Sequence, residues 1–137
     1  MTIFEKIIER EIPAYIVYED DDVISFLDIS QATKGHTLVV PKKAYKNIYE
    51  MPQDLLAKVI VVTQKVSKAV DLAFQPEGLN ILNNTNEIAG QTVFHFHIHI
   101  IPRYTKNDVG FKFENHMNDL SSDEFKQRAA IIKKNLL

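Results

Sequence analysis

The stretch His95–Ile101, "HFHIHII", decides how this chain is read. Three of the chain's five histidines fall in it, alternating with apolar residues. Helical geometry would scatter positions i, i+2 and i+4 around the axis, whereas a strand sends successive side chains to opposite faces. The run is therefore predicted to be a strand, with His95, His97 and His99 on one face and Phe96, Ile98 and Ile100 on the other. Each step along a face covers about 6.6 Å. A row of imidazoles then stands over one side of a sheet, and hydrophobic anchors meet whatever covers the other.

Working outward, "TVFHFHIHIIPR", residues 92–103, is expected to form the fifth strand of an α+β fold. "GLNILNN", residues 78–84, reads as the fourth, running into the polar turn "NNTNEIAG". The spacing predicts a long helix from about Pro52 to Phe74. Proline suits a first helical position, and Leu55, Val59, Val62, Val66, Ala69 and Ala73 recur on one face. "HTLVVPK", residues 36–42, is a third strand, and "AYIVYEDDDVISFLD", residues 14–28, is a hairpin around the acidic turn Glu19–Asp22. "IFEKII", residues 3–8, is a short helix. In "LSSDEF", residues 120–125, Ser121 and Glu124 form a capping box and Leu120 packs on Phe125. The terminal helix that follows is expected to turn Phe125, Ala129, Ile132 and Leu136 inward. The sum is about five mostly antiparallel strands, one long helix and a terminal helix. No repeat or linker-like tract interrupts residues 1–137, so one domain is expected.

Composition narrows the function. A formal net charge of −2 argues against broad nucleic-acid or membrane binding, while leaving room for a small phosphate-bearing ligand held by a few local donors. With no cysteine, disulfides and thiolate metal sites are excluded. "MTIFEKIIEREIPAY" carries charges every few residues, so it is neither a signal peptide nor a membrane span, and the expected address is cytoplasmic.

The histidine row has three possible uses. It can be a histidine-rich exposed face without function. It can bind a metal, but a closed zinc site needs four ligands, or three and water, and this run offers no cysteine, Asp or Glu beside the imidazoles. It can carry out nucleophilic or acid–base chemistry, one imidazole being oriented by the others. The neighbours favour the third use. "AGQTV", residues 89–93, supplies the Gln91 amide and the Thr92 hydroxyl, and His36 follows Gly35 at the start of another strand. Such donors suit an anion. Neither a Walker-type loop nor G-x-G-x-x-G is present, so a phosphate would have to be held by the histidine row itself.

"HFHIHII" matches the H-φ-H-φ-H-φ-φ signature of the histidine triad family, φ being apolar, and "AGQT" stands directly before it. "TIFEKIIEREIPA", "VYEDDDVISFLDIS", "GHTLVVPKK" and "LNILNN" resemble the corresponding stretches of the Hint-like branch, the nucleoside phosphoramidate hydrolases. The resemblance covers most of the chain; the tail after Pro102 adds little. It implies a HIT-like fold in a homodimer whose two five-stranded sheets join into one. It also implies an enzyme that hydrolyses or transfers a purine nucleoside monophosphate (AMP or GMP type) through a nucleotidyl-histidine, with no cofactor.

On the same resemblance, His97 is the nucleophile and His95, His99 and His36 belong to the phosphate site. Asn84 and Thr92 contact phosphate or the departing group, Asp28 binds the ribose hydroxyls, and Ile3, Phe4, Phe26, Ile29 and Leu38 form the base pocket. The Gln91 amide, read from its own chemistry, is expected to bind substrate beside them. Each residue also has a plainer role. Asp28 can close an Asx-turn, Asn84 and its neighbour Asn83 can be turn residues, and the five apolar residues can be ordinary core. His116 lies off the motif and is expected at the surface.

The sequence departs from the family in two places. Many bacterial relatives carry Cys-x-x-Cys near the N-terminus and a structural zinc, where this chain has "TIFE", and a ligand histidine after the third strand is replaced around Tyr45; no metal is expected. Thr92 resembles the dinucleoside polyphosphate hydrolase branch, whereas Asn84 resembles the Hint branch, so hydrolysis of dinucleoside polyphosphates is an alternative activity. A non-catalytic nucleotide-binding scaffold is another.

Overall fold

A computed structural model describes residues 1–136. Its elements run in the order α1 (Ile3–Ile8), β1 (Ile16–Glu19), β2 (Val23–Leu27), β3 (Thr37–Pro41), α2 (Gln53–Phe74), β4 (Gly78–Leu82), β5 (Ile98–Arg103) and α3 (Ser122–Lys134). The strands form one five-stranded sheet in the order β1-β2-β3-β5-β4, every pair antiparallel.

The β1–β2 hairpin closes where the sequence places its acidic turn. The Asp20 carboxylate accepts the backbone N–H groups of Asp22 and Val23, each at 2.8 Å, which satisfies donors the turn would otherwise leave unpaired. β2 and β3 are apolar almost throughout and nearly every residue in them is buried, because both faces of the sheet are covered there. On one face Val23, Val39, Phe96, Ile98 and Ile100 pack against Val59, Val62, Val66 and Val70 of α2. On the other, Ile24, Phe26, Leu38 and Val40 pack against Phe4 and Ile7 of α1.

The structure changes four expectations. Pro52 is the N-cap of α2, in extended conformation, rather than its first helical residue, and its carbonyl accepts the N–H of Leu56 at 2.9 Å. The buried face of α2 continues from Val66 to Val70, so Ala69 and Ala73 are exposed; Thr63 joins the face by returning its hydroxyl to the Val59 carbonyl at 2.8 Å. The β5 ladder begins only at Ile98. Before it the chain bends, and the Phe96 N–H pairs with the Tyr45 carbonyl instead of a strand. Finally, α3 has the predicted capping box of Ser121 and Glu124, yet none of its residues is buried, and Phe125, Ile132 and Leu136 face outward. Helical periodicity identifies an apolar stripe but not what it packs on.

Candidate active site

α1, the segment after it and the ends of β2 and β3 enclose a cavity of about 330 Å³. Its apolar wall is made by Ile3, Phe4, Phe26, Ile29 and Leu38, all expected, joined by Ile7, Ile12, Ala14 and Val93, which were not. These last are apolar residues with no motif around them, so nothing in the sequence separates them from core. At one end stand Asp28, Thr92, His97 and His99. Phe4 is the hinge between the wall and the polar end. Its ring meets Phe26 edge-on at 5.6 Å between centroids and His97 at 4.9 Å.

The protonation of each histidine follows from fixed backbone partners. His97 Nδ1 lies 2.7 Å from the His95 carbonyl, an acceptor only, so Nδ1 carries the proton and Nε2 keeps its lone pair. His95 Nε2 lies 2.7 Å from the Pro41 carbonyl and must donate, which leaves its Nδ1 an acceptor for the Thr2 hydroxyl at 3.4 Å. His36 Nδ1 accepts the Ala32 N–H at 3.3 Å, so Nε2 is its protonated nitrogen and donates to His99 Nδ1 at 2.9 Å. His99 in turn carries its proton on Nε2. Two adjacent imidazoles, with ring centroids 4.9 Å apart, are thus set in opposite states: His97 with a free Nε2 lone pair, His99 with an Nε2–H donor.

Burial holds all four imidazoles neutral, opposing protonation of each. For His99, burial together with the nearby His97 and His36 brings the pKa down to about 4. Asp28 goes the other way. Burial pushes its carboxyl up, but hydrogen bonds from the Ser30 hydroxyl and N–H, at 2.7 and 2.8 Å, and the neighbouring histidines outweigh this and keep it ionised. One Asp28 oxygen closes that Asx-turn, as its plainer role required, while the other faces His36 Nε2 at 3.6 Å.

Asp28, His36 and His99 are the one group whose ligand atoms lie close enough together, within 4.8 Å, to suggest a metal among the described residues. The Ala32 N–H argues against that use, since it occupies the Nδ1 lone pair of His36 and leaves the proton on Nε2, the nitrogen whose lone pair a metal between Asp28 and His99 would need. The N-terminal "TIFE" stretch forms a capping box in which Thr2 Oγ1 accepts the Glu5 N–H and the Glu5 carboxylate accepts the Thr2 N–H.

Four expected contacts take other places. His95 is fully buried and both its nitrogens are engaged, so it does not line the cavity. It belongs to the scaffold beneath His97 rather than to a phosphate site, because the chain bends ahead of β5 and its ring is turned toward α1. Gln91 is also corrected: its amide is buried, donating to the Lys46 and Val93 carbonyls and accepting the Asn86 N–H, which leaves nothing for a ligand. His36 lies behind His99 and reaches the cavity only through it. Asn84 stands near Gly90, to whose carbonyl its amide donates at 3.4 Å, outside the cavity wall. Its neighbour Asn83 donates to the His97 carbonyl at 2.9 Å and so holds the backbone of the central histidine.

Residues 9–106 match the family model described as the HIT domain. "Protein hit" of Bacillus subtilis is 47% identical over 135 residues, covering 98% of this chain and 93% of that protein. A crystal structure of a HIT family member from Bacillus subtilis superposes with a TM-score of 0.96 at 45% identity, covering 99% of this chain and 97% of that one. A histidine triad nucleotide-binding protein from Candida albicans gives 0.84 at 31% identity, covering 98% and 96% of the two chains.

Proposed function

This chain belongs to the HIT domain family, and on that premise we propose that it cleaves a purine nucleoside phosphoramidate, or a related nucleotide conjugate, through a nucleotidyl-histidine. The observation that carries the reading is the opposed protonation of His97 and His99. His97 Nε2 attacks phosphorus, a P–N bond forms and the bond to the leaving group breaks, an amine departing with a proton drawn from solvent and an oxyacid as its anion. Water then attacks the same phosphorus, the P–N bond to His97 breaks, and the nucleoside monophosphate departs. Dividing one displacement into two lets a neutral imidazole meet the substrate before water does. His99 Nε2–H and the Thr92 hydroxyl donate to the phosphate oxygens. Loss of one such donor costs about a hundredfold in rate.

The apolar wall takes the base, a flat surface of the kind Phe4 and Phe26 accept. The similarity to the histidine triad nucleotide-binding protein of Candida albicans supports a nucleotide as occupant.

The test is a chase with a radiolabelled adenosine phosphoramidate, quenched early and mass-mapped. An adduct on His97 is expected, and His97→Ala should abolish turnover while still binding AMP. Turnover of a diadenosine polyphosphate well above that of the phosphoramidate would favour the alternative activity instead. Absence of any adduct, with no turnover of either substrate, would leave only the binding scaffold.

A further inference from the structure

We propose that Thr2, the N-cap of α1, is a positioning residue for the His97 nucleophile, acting through His95. The inference rests on the proposed role of His97 and adds a residue that belongs to none of the wall, the triad or the phosphate contacts.

The chain of bonds is continuous. Thr2 Oγ1 accepts the Glu5 N–H at 3.2 Å, as any N-cap oxygen does. The same oxygen lies 3.4 Å from His95 Nδ1, and since that nitrogen is an acceptor the hydroxyl must donate to it. The His95 ring is held at its other end by the Pro41 carbonyl, 2.7 Å away in the sheet. The backbone carbonyl of the same residue accepts His97 Nδ1–H at 2.7 Å. Fixing the His95 ring at both ends therefore fixes the acceptor that gives His97 its tautomer and aim.

Thr2 also seats Phe4, two residues on. Its ring lies 5.8 Å from His95 and 4.9 Å from His97, between the nucleophile and the base wall. A group that both accepts and donates is needed at position 2, and a hydroxyl is the smallest that does so. An ordinary cap needs only the acceptor.

That difference supplies the test. Thr2→Ser keeps both functions. Thr2→Asp keeps the cap, being as good an N-cap, but offers no proton to His95. Thr2→Val removes both. Single-turnover rates of His97 adduct formation, KM for the nucleotide, and long-range ¹H–¹⁵N spectra of the imidazoles would be compared in all three.

Serine should behave like the native residue. Valine and aspartate should each slow adduct formation about fivefold to tenfold, the loss expected from one hydrogen bond, with KM changed far less. In the valine variant the Pro41 carbonyl still keeps the His95 proton on Nε2, but the Nδ1 resonance should shift as its hydrogen bond is lost. In the aspartate variant its Nδ1 should take up a proton, so that the rate becomes sensitive to pH near neutrality.

Aspartate matching the native rate and spectra would reduce Thr2 to a plain helix cap and overturn the proposal, as would native behaviour in the valine variant. Failure of the underlying reading is distinguishable, because the native protein itself would then give no adduct.

Discussion

At the scale of single residues, the site depends on imidazoles kept neutral by burial, and this has a consequence for pH. The unfolded His99 imidazole protonates near its ordinary value of 6.5, whereas in the fold it does so at about 4. Below pH 6.5 the unfolded chain binds a proton that the fold refuses, so stability falls as pH is lowered from 6.5 to 4 and levels off below. The His99 contribution lost across that window is at most about 3 kcal/mol. Thermal melts from pH 7.5 to 4 should show the decline, and His99→Asn should remove the His99 share of it while His36, His95 and His97 keep theirs; a native curve already flat across the window would contradict the assignment. Asp28 allows a second test. In Asp28→Asn the amide oxygen can still accept from Ser30, so the turn survives, but the anionic acceptor for ribose hydroxyls is gone. Ribonucleotide affinity should fall about tenfold toward that of the deoxyribonucleotide, a charge-assisted bond contributing about 1.5 to 3 kcal/mol. The melting temperature should scarcely move. Unchanged preference for ribose would return Asp28 to a turn residue alone.

At the scale of elements, the connections decide where the chemistry stands. Gly35, at φ 92°, turns the chain into β3 and delivers His36 behind His99. A Cβ there would meet the Phe74 ring at 2.7 Å, so both the backbone and the space demand glycine. Gly35→Ala should cost about 2 kcal/mol or more, read as a lowered urea midpoint. A midpoint within error of the native one would show that Phe74 yields and the strain is slight. Much of this level was legible from sequence. The acidic turn, the Ser121–Glu124 capping box and the α2 periodicity all have local causes. The start of β5 was not, because alternation in "HFHIHII" describes side-chain faces, and the faces do alternate. Whether the backbone also finds a ladder partner depends on Tyr45, 51 residues before Phe96 in sequence and invisible to any pattern at the motif.

At the scale of the whole molecule, the edge strand β4 leaves Leu79 and Ile81 exposed beside exposed Ile60 and Val61 of α2. The nearby Ser67 hydroxyl is buried without a hydrogen-bond partner among the described residues. An unpaired strand edge next to an apolar face is the kind of surface proteins cover. A two-fold pair of chains would cover it by laying β4 against its own copy. Light scattering on the purified chain should give the mass of a dimer, and Ile81→Lys should shift it to the monomer; a monomeric native chain would end the expectation of a homodimer. Among the described residues no helix is long and apolar enough to cross a membrane.

The sequence by itself determined the main α+β elements, the three-histidine motif and the absence of any thiolate chemistry, because each is written in local composition and spacing; the apolar wall of the cavity was assembled by the fold, since Ile7, Ile12, Ala14 and Val93 carry no local signal. Only the tertiary structure decided what each histidine does. Hydrogen-bond acceptors from Pro41 and from His95 itself, and a donor from Ala32, assign the tautomers; Pro41 is brought to His95 from β3, while Ala32 reaches His36 across a turn that no motif marks. The same holds for Gln91, whose position beside the triad suggested a ligand contact until the distant Lys46 carbonyl and the nearby Val93 carbonyl claimed its amide. A motif names the residues that can carry chemistry; the partners that set their protons are brought in by the fold.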